Sequence, residues 1–81
     1  MRYYFAAFGS RTQGMKFFEE LKRCGLSVRV INTPHQASVG CGLSIRFDEQ
    51  DCGVIRDVLA AGCYGSLHGI FEYNCGKVWA V

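Results

Sequence analysis

Cysteine is the residue type whose chemistry stands out first, with Cys24, Cys41, Cys52, Cys63 and Cys75 in a chain of 81 residues. Small domains dense in cysteine are usually secreted disulfide scaffolds. Here the number is odd, so at least one thiol is left over. The five are spaced almost evenly and no Cys-x-x-Cys occurs, whereas zinc fingers and ribbons need paired ligands a few residues apart. His35 and His68 stand at ligand spacing from no cysteine, so no metal is implied. What remains is the chemistry of single reduced thiols. Cys41 differs from the rest because Gly40 and Gly42 flank it, and glycines let backbone amides approach a thiolate or an anion closely.

Composition narrows the setting. With 49% hydrophobic and 20% charged residues, the chain has the makings of a packed core and reads as one domain. The net charge of +2 is too small to argue for nucleic acid. Its distribution is uneven: residues 1–47 hold seven Arg and Lys against two Glu, and residues 48–81 hold two against five acids. No run approaches the length of a membrane span, and Met1 to Phe8 is too short for a secretory leader. Together these features predict a cytoplasmic protein with reduced thiols, without nucleic acid or membrane as partner.

The elements that would position those thiols follow from periodicity. Tyr3 to Phe8 predicts a buried strand. Ser10-Arg11-Thr12-Gln13 has the form of a capping box: the Ser10 hydroxyl accepts from the Gln13 amide, and the Gln13 side chain reaches back. Phe17, Phe18, Leu21 and Cys24 then recur at helical spacing, which puts Cys24 in the core, and Gly25 closes the helix. Leu26 to Asn32 predicts a second strand, Thr33 to Gly40 a loop with the sole proline, Pro34, and Cys41 to Phe47 a third strand. Asp48 is placed to cap a second helix with Val54, Ile55, Val58 and Leu59 as its buried stripe and Gly62 at its end. Ser66 to Tyr73 predicts a fourth strand, and Asn74-Cys75-Gly76 a turn into a short fifth, Lys77 to Val81.

The order βαββαβ with two right-handed crossovers predicts a ferredoxin-like α+β sandwich. Both helices cover one face of an antiparallel sheet of order 4-1-3-2. The core spans 1–73 and a C-terminal extension 74–81. In that topology the end of strand 1, the start of the first helix and the start of strand 3 meet at one end of the sheet. Gly9-Ser10-Arg11 then faces Gly40-Cys41-Gly42. A helix N-terminus and a nearby arginine lower a thiol pKa, which makes Cys41 the candidate reactive cysteine, with Ser10, Arg11, Gly40 and Gly42 stabilising its thiolate or a bound anion. Cys52 falls in the first turn of the second helix, where Asp48, Glu49 and Asp51 oppose a thiolate. Cys63 and Cys75 flank the fourth strand as a candidate pair for oxidation. No general base is evident, and His35 in the loop is the nearest candidate.

Two resemblances bear on function. Thr12 to Phe18, followed by Gly25 to Asn32, is similar to the acylphosphatase pattern, in which a Val-Gln-Gly-Val-x-Phe-Arg loop cradles phosphate and an Asn positions water. Asn32 matches that Asn, but Phe18 stands where the family has its arginine, and without a guanidinium the phosphoryl oxygens go unneutralised.

The broader resemblance runs from Phe8 to Leu59: Phe8-x-Ser10 leading into a helix, Gly25-x-x-Val28-Arg29, Pro34, Ser38 and Cys41-Gly42-Leu43-Ser44-Ile45-Arg46-Phe47. This resembles a family of small bacterial domains described as selenium/sulfur carrier-like proteins. The resemblance implies a thiol that carries sulfur or selenium as a persulfide or selenyl-sulfide, and by match that thiol is Cys41. It also implies donor and acceptor proteins as partners and no cofactor. Gly9 stands where the family commonly has Pro, and Phe17-Phe18 displaces an acidic residue of the helix. Tyr73 to Val81 falls outside the resemblance. The alternative is a noncatalytic module that binds a small ligand or dimerises through an exposed sheet, and an acylphosphatase-like hydrolase ranks last.

Overall fold

A computed structural model of the chain describes residues 2–37 and 42–81. The expected thiol Cys41, with Ser38 and Gly40, lies outside the described residues. The strands are β1 (Arg2–Phe8), β2 (Arg29–Asn32), β3 (Leu43–Phe47), β4 (Leu67–Asn74) and β5 (Lys77–Ala80), with helices α1 (Arg11–Arg23) and α2 (Cys52–Ala61). Short 3-10 turns occupy His35–Ala37 and Glu49–Asp51.

The result is a mixed α/β architecture with a five-stranded sheet in the order β2-β3-β1-β4-β5. Every adjacent pair is antiparallel. β1 sits in the middle because Tyr4 to Phe8 is buried on both sides. The short fifth strand expected in the C-terminal extension forms as β5, which joins the sheet by pairing Phe71 with Ala80 through Asn74 with Lys77. Cys75 and Gly76 form its two-residue turn, with φ of 52° and 83°, the positive values a type I′ hairpin needs.

On the helix side, Tyr4, Ala6 and Phe8 of β1 join Leu43, Ile45 and Phe47 of β3 beneath Phe17 and Leu21 of α1 and Ile55 of α2. Phe8, Phe17 and Tyr64 close on one another with ring centroids 5.2, 5.7 and 5.3 Å apart. The opposite face is also furnished. Phe5, Ala7 and Phe71 lie there with Tyr3, Ile31, Tyr73 and Val78, and Ala37 of the 3-10 turn packs onto them. The loop after β2 therefore folds back across the sheet.

Several local expectations are corrected. Gly25, at φ +82°, ends α1 as expected, but with a bond pattern that draws in more chain. Its amide donates to the Lys22 carbonyl at 3.0 Å and the Leu26 amide to the Leu21 carbonyl at 3.2 Å, a Schellman closure. Leu26 is thereby taken from the sheet, and β2 begins at Arg29. Cys24 is the C-cap residue and is exposed, because the chain turns before another helical step would bury it. Asp48 caps the 3-10 turn only through its carbonyl, which accepts from the Asp51 amide at 3.0 Å, and its side chain makes no capping bond. In α2 only Ile55 is buried; Val58 and Leu59 are partly covered, and Val54 faces solvent. Cys63 and Cys75 stand beyond opposite ends of β4. Eight strand residues span roughly 25 Å, far beyond disulfide reach.

Candidate functional site at the end of β1

The end of β1 is assembled from three neighbouring chains. Ser10, at φ −97° and ψ 122°, is the N-cap of α1, and its Oγ accepts from the Gln13 amide at 3.2 Å. The second half of the expected capping box does not form. Gln13 Oε1 turns outward and accepts from the Ser66 amide at 2.9 Å and the Ser66 hydroxyl at 2.8 Å. The Gly9 amide donates to the Ser66 carbonyl at 2.8 Å. Tertiary bonds to the start of β4 thus outcompete the local one and fix the entry to the helix.

Across from this, β3 closes on β1 at Gly42. A methyl at Gly42 would collide with the Phe8 carbonyl oxygen and stand 3.4 Å from Gly9 Cα. Gly42 itself is therefore in close backbone contact with Phe8 and Gly9. Gly14, one turn into α1, is buried as well, and a methyl there would stand 2.8 Å from the Leu43 Cδ2 side-chain atom. Two glycines let α1 and β3 seat against the end of β1.

Arg11, the first helical residue, is exposed. The amides of Arg11 and Thr12 in the first turn have no acceptor within the helix, so partial positive charge and a full cation share this corner. The ion pairs among the described residues belong to Arg2, with Glu49 and Glu72 each at 2.8 Å, at the opposite end of β1.

On the β2 side, Pro34 starts the 3-10 turn by accepting from the Ala37 amide at 3.1 Å. His35 in that turn is exposed. The Thr33 and Ser44 hydroxyls are 2.7 Å apart, which satisfies Ser44, a fully buried polar residue of β3. Ala37 packs on the sheet, and Gly42 packs on β1.

One residue of this corner escaped the sequence reading. His68 occupies the β-bulge where the register passes from Ala7–Gly69 to Phe8–Leu67, and its imidazole covers Gly9. A methyl at Gly9 would stand 3.1 Å from His68 Nε2. Gly69 directly after a histidine inside a strand was the available signal, since an interior glycine marks bulges.

Elsewhere the chemistry is quieter. Burial pushes the Cys52 thiol up against the opposing charge of Arg56, and Glu49 and Asp51 push it further up, so this helix start does not activate it. The Thr12-to-Phe18 stretch is helical from Arg11 on and forms no phosphate loop, while Phe18 packs partly against the core and Asn32 is exposed. Among the described residues no cluster of His, Cys, Asp and Glu is suited to a metal ion, and no helix is long and apolar enough to cross a membrane.

Comparison with known proteins adds one match. The model of the family described as "Putative Se/S carrier protein-like" covers residues 3–64. It includes the whole Phe8-to-Leu59 series and ends before β4. No curated protein and no solved structure matches the chain.

Proposed function

Because this chain belongs to the Se/S carrier protein-like family, we propose that it carries sulfur or selenium on Cys41. The family match over residues 3–64, a span that includes Pro34, Cys41 and Gly42, is the observation that carries this reading. The geometry supports it at one remove. Gly42, the neighbour of Cys41, is packed on Phe8 and Gly9, next to the N-cap Ser10 and the exposed Arg11. A thiolate at this corner would gain from the open first-turn amides and from the guanidinium.

The chemical step conserves oxidation level. The Cys41 thiolate attacks the outer sulfur of a donor persulfide, a new S–S bond forms, and the donor cysteine leaves as its thiolate. Cys41 then holds a persulfide, which an acceptor thiolate removes by the same exchange. A selenyl-sulfide forms likewise when the donor presents selenium. The scaffold is a ferredoxin-like sandwich widened by β5, in the cytoplasm, with donor and acceptor proteins as partners and no resident cofactor.

The experiment is persulfide loading. Reduced protein is incubated with a cysteine desulfurase and cysteine, then digested and mapped by mass. The expected outcome is one added sulfur on the Cys41 peptide, absent in Cys41→Ser. Equal uptake by Cys41→Ser, with the sulfur on exposed Cys24, Cys63 or Cys75, would refute the carrier reading.

A noncatalytic module that self-associates is the second reading, favoured by the exposed Trp79 on an edge strand. Acylphosphatase chemistry has neither an arginine at Phe18 nor a loop cradle.

A further inference from the structure

Among the described residues the sheet has two open edges, β2 and β5, and they differ in what they offer an arriving strand. At β2, Arg29 is exposed and lies beside Arg46 across the ladder, so a second copy would bring like charges together. At β5 the outward side chains include Trp79, 49% exposed, and Val81, 55% exposed.

The backbone at β5 is also ready. The Val81 amide donates inward to the Ile70 carbonyl at 2.8 Å. Strand geometry alternates, so Lys77, Trp79 and Val81 bond toward β4, while Val78 and Ala80 direct their amides and carbonyls to solvent. A twofold axis at Trp79 then places Val78 opposite Ala80 of the second copy, with reciprocal bonds on both sides of the axis. Trp79 meets its own counterpart as a non-hydrogen-bonded pair, Cα atoms about 4.5 Å apart. Side-chain parity agrees, because residues that face each other across an antiparallel pair share one face.

Charge supports the same register. Lys77 lies on the face of Trp79 and falls diagonal to the indole of the second copy, within cation–π reach.

We infer that the chain forms a twofold dimer by antiparallel pairing of β5 with β5 of a second copy, giving a continuous ten-stranded sheet. This inference is independent of the carrier reading. A four-residue edge is small for an interface, so the dimer is a concentration-dependent one.

The test uses the full chain. Sedimentation velocity across a concentration series reports mass, and emission from Trp79, the single tryptophan, reports its burial. The expected result is a monomer–dimer transition with a blue shift in emission on the same concentration scale. Ala80→Pro removes an amide that the protein's own sheet does not use, as edge strands tolerate. It should weaken association about tenfold or more while leaving the far-ultraviolet circular dichroism intact. Should that variant unfold, Trp79→Glu carries the same expectation. Arg29→Glu, on the other edge, should leave the dimer unchanged. A monomer at all concentrations, a dimer indifferent to both β5 variants, or growth beyond a dimer through β5–β2 contacts would each overturn the inference.

Discussion

Single atoms decide most at the glycines, and two of them predict opposite outcomes for the same substitution. Gly42 has the Phe8 carbonyl where a side chain would go, and both partners are backbone that cannot rotate away. Gly42→Ala should cost about 2–3 kcal/mol, read as a fall in the urea midpoint at unchanged slope. Gly53, in the first turn of α2, has nothing within 4 Å of a methyl. Gly53→Ala should add about 0.5–1 kcal/mol in the same measurement, since a helical glycine gives up more backbone freedom than alanine. Such opposing roles are not visible in the sequence, where both are glycines beside a cysteine. The direction of β1 and β3 put Gly9 and Gly42 in the same neighbourhood, because strand polarity follows from element order. That the two chains touch, and that His68 covers Gly9, depends on a register shift that periodicity does not encode.

Elements were legible wherever a local signal had no tertiary competitor. Ser10 and Gly25 bound α1 as their types predict, and the alternation of Leu43, Ile45 and Phe47 marks β3. Misreadings arose where a residue had two suitors. Gln13 bonds Ser66 instead of closing its own box, and Leu26 completes the helix end instead of lengthening β2. Cys24 continues the numerical period of Phe17 and Leu21 but falls on the cap, where the period stops having meaning. The β4–β5 hairpin invites a test at this scale. Cys75 holds φ 52° without the freedom of glycine, a conformation that Asn tolerates better. Cys75→Asn should raise stability by about 0.5–1 kcal/mol, seen as a higher melting temperature.

At the scale of the whole molecule, the protons of Tyr64, Tyr3 and Cys52 are held more tightly in the fold than outside it. Burial raises the Tyr64 phenol, and its 2.7 Å bond to Glu20 raises it further. Burial likewise raises Tyr3, with Tyr73 adding and Arg46 opposing, and raises Cys52. In each case the unfolded chain loses its proton first as pH rises, so the unfolded state binds fewer protons and stability falls. The loss should begin near pH 9 with Cys52 and steepen above pH 10 with the two tyrosines. Tyr64→Phe should flatten the steep part in urea titrations taken from pH 8 to 11, beneath a lower plateau from the lost Glu20 bond. A slope unchanged by Tyr64→Phe would mean that this phenol titrates alike in both states.

The family match stops at residue 64, yet β1 pairs on one side with β4, which starts at Leu67. A ladder reads backbone far more than side chains, so this slot accepts any strand of suitable length and alternation. Spelling can therefore drift in the last fifth of the chain while its shape stays obligatory. A fragment cut where the match ends would turn the central strand into a raw edge, with Phe5 and Ala7 exposed beside unmet amides, and it should clump before it could carry anything.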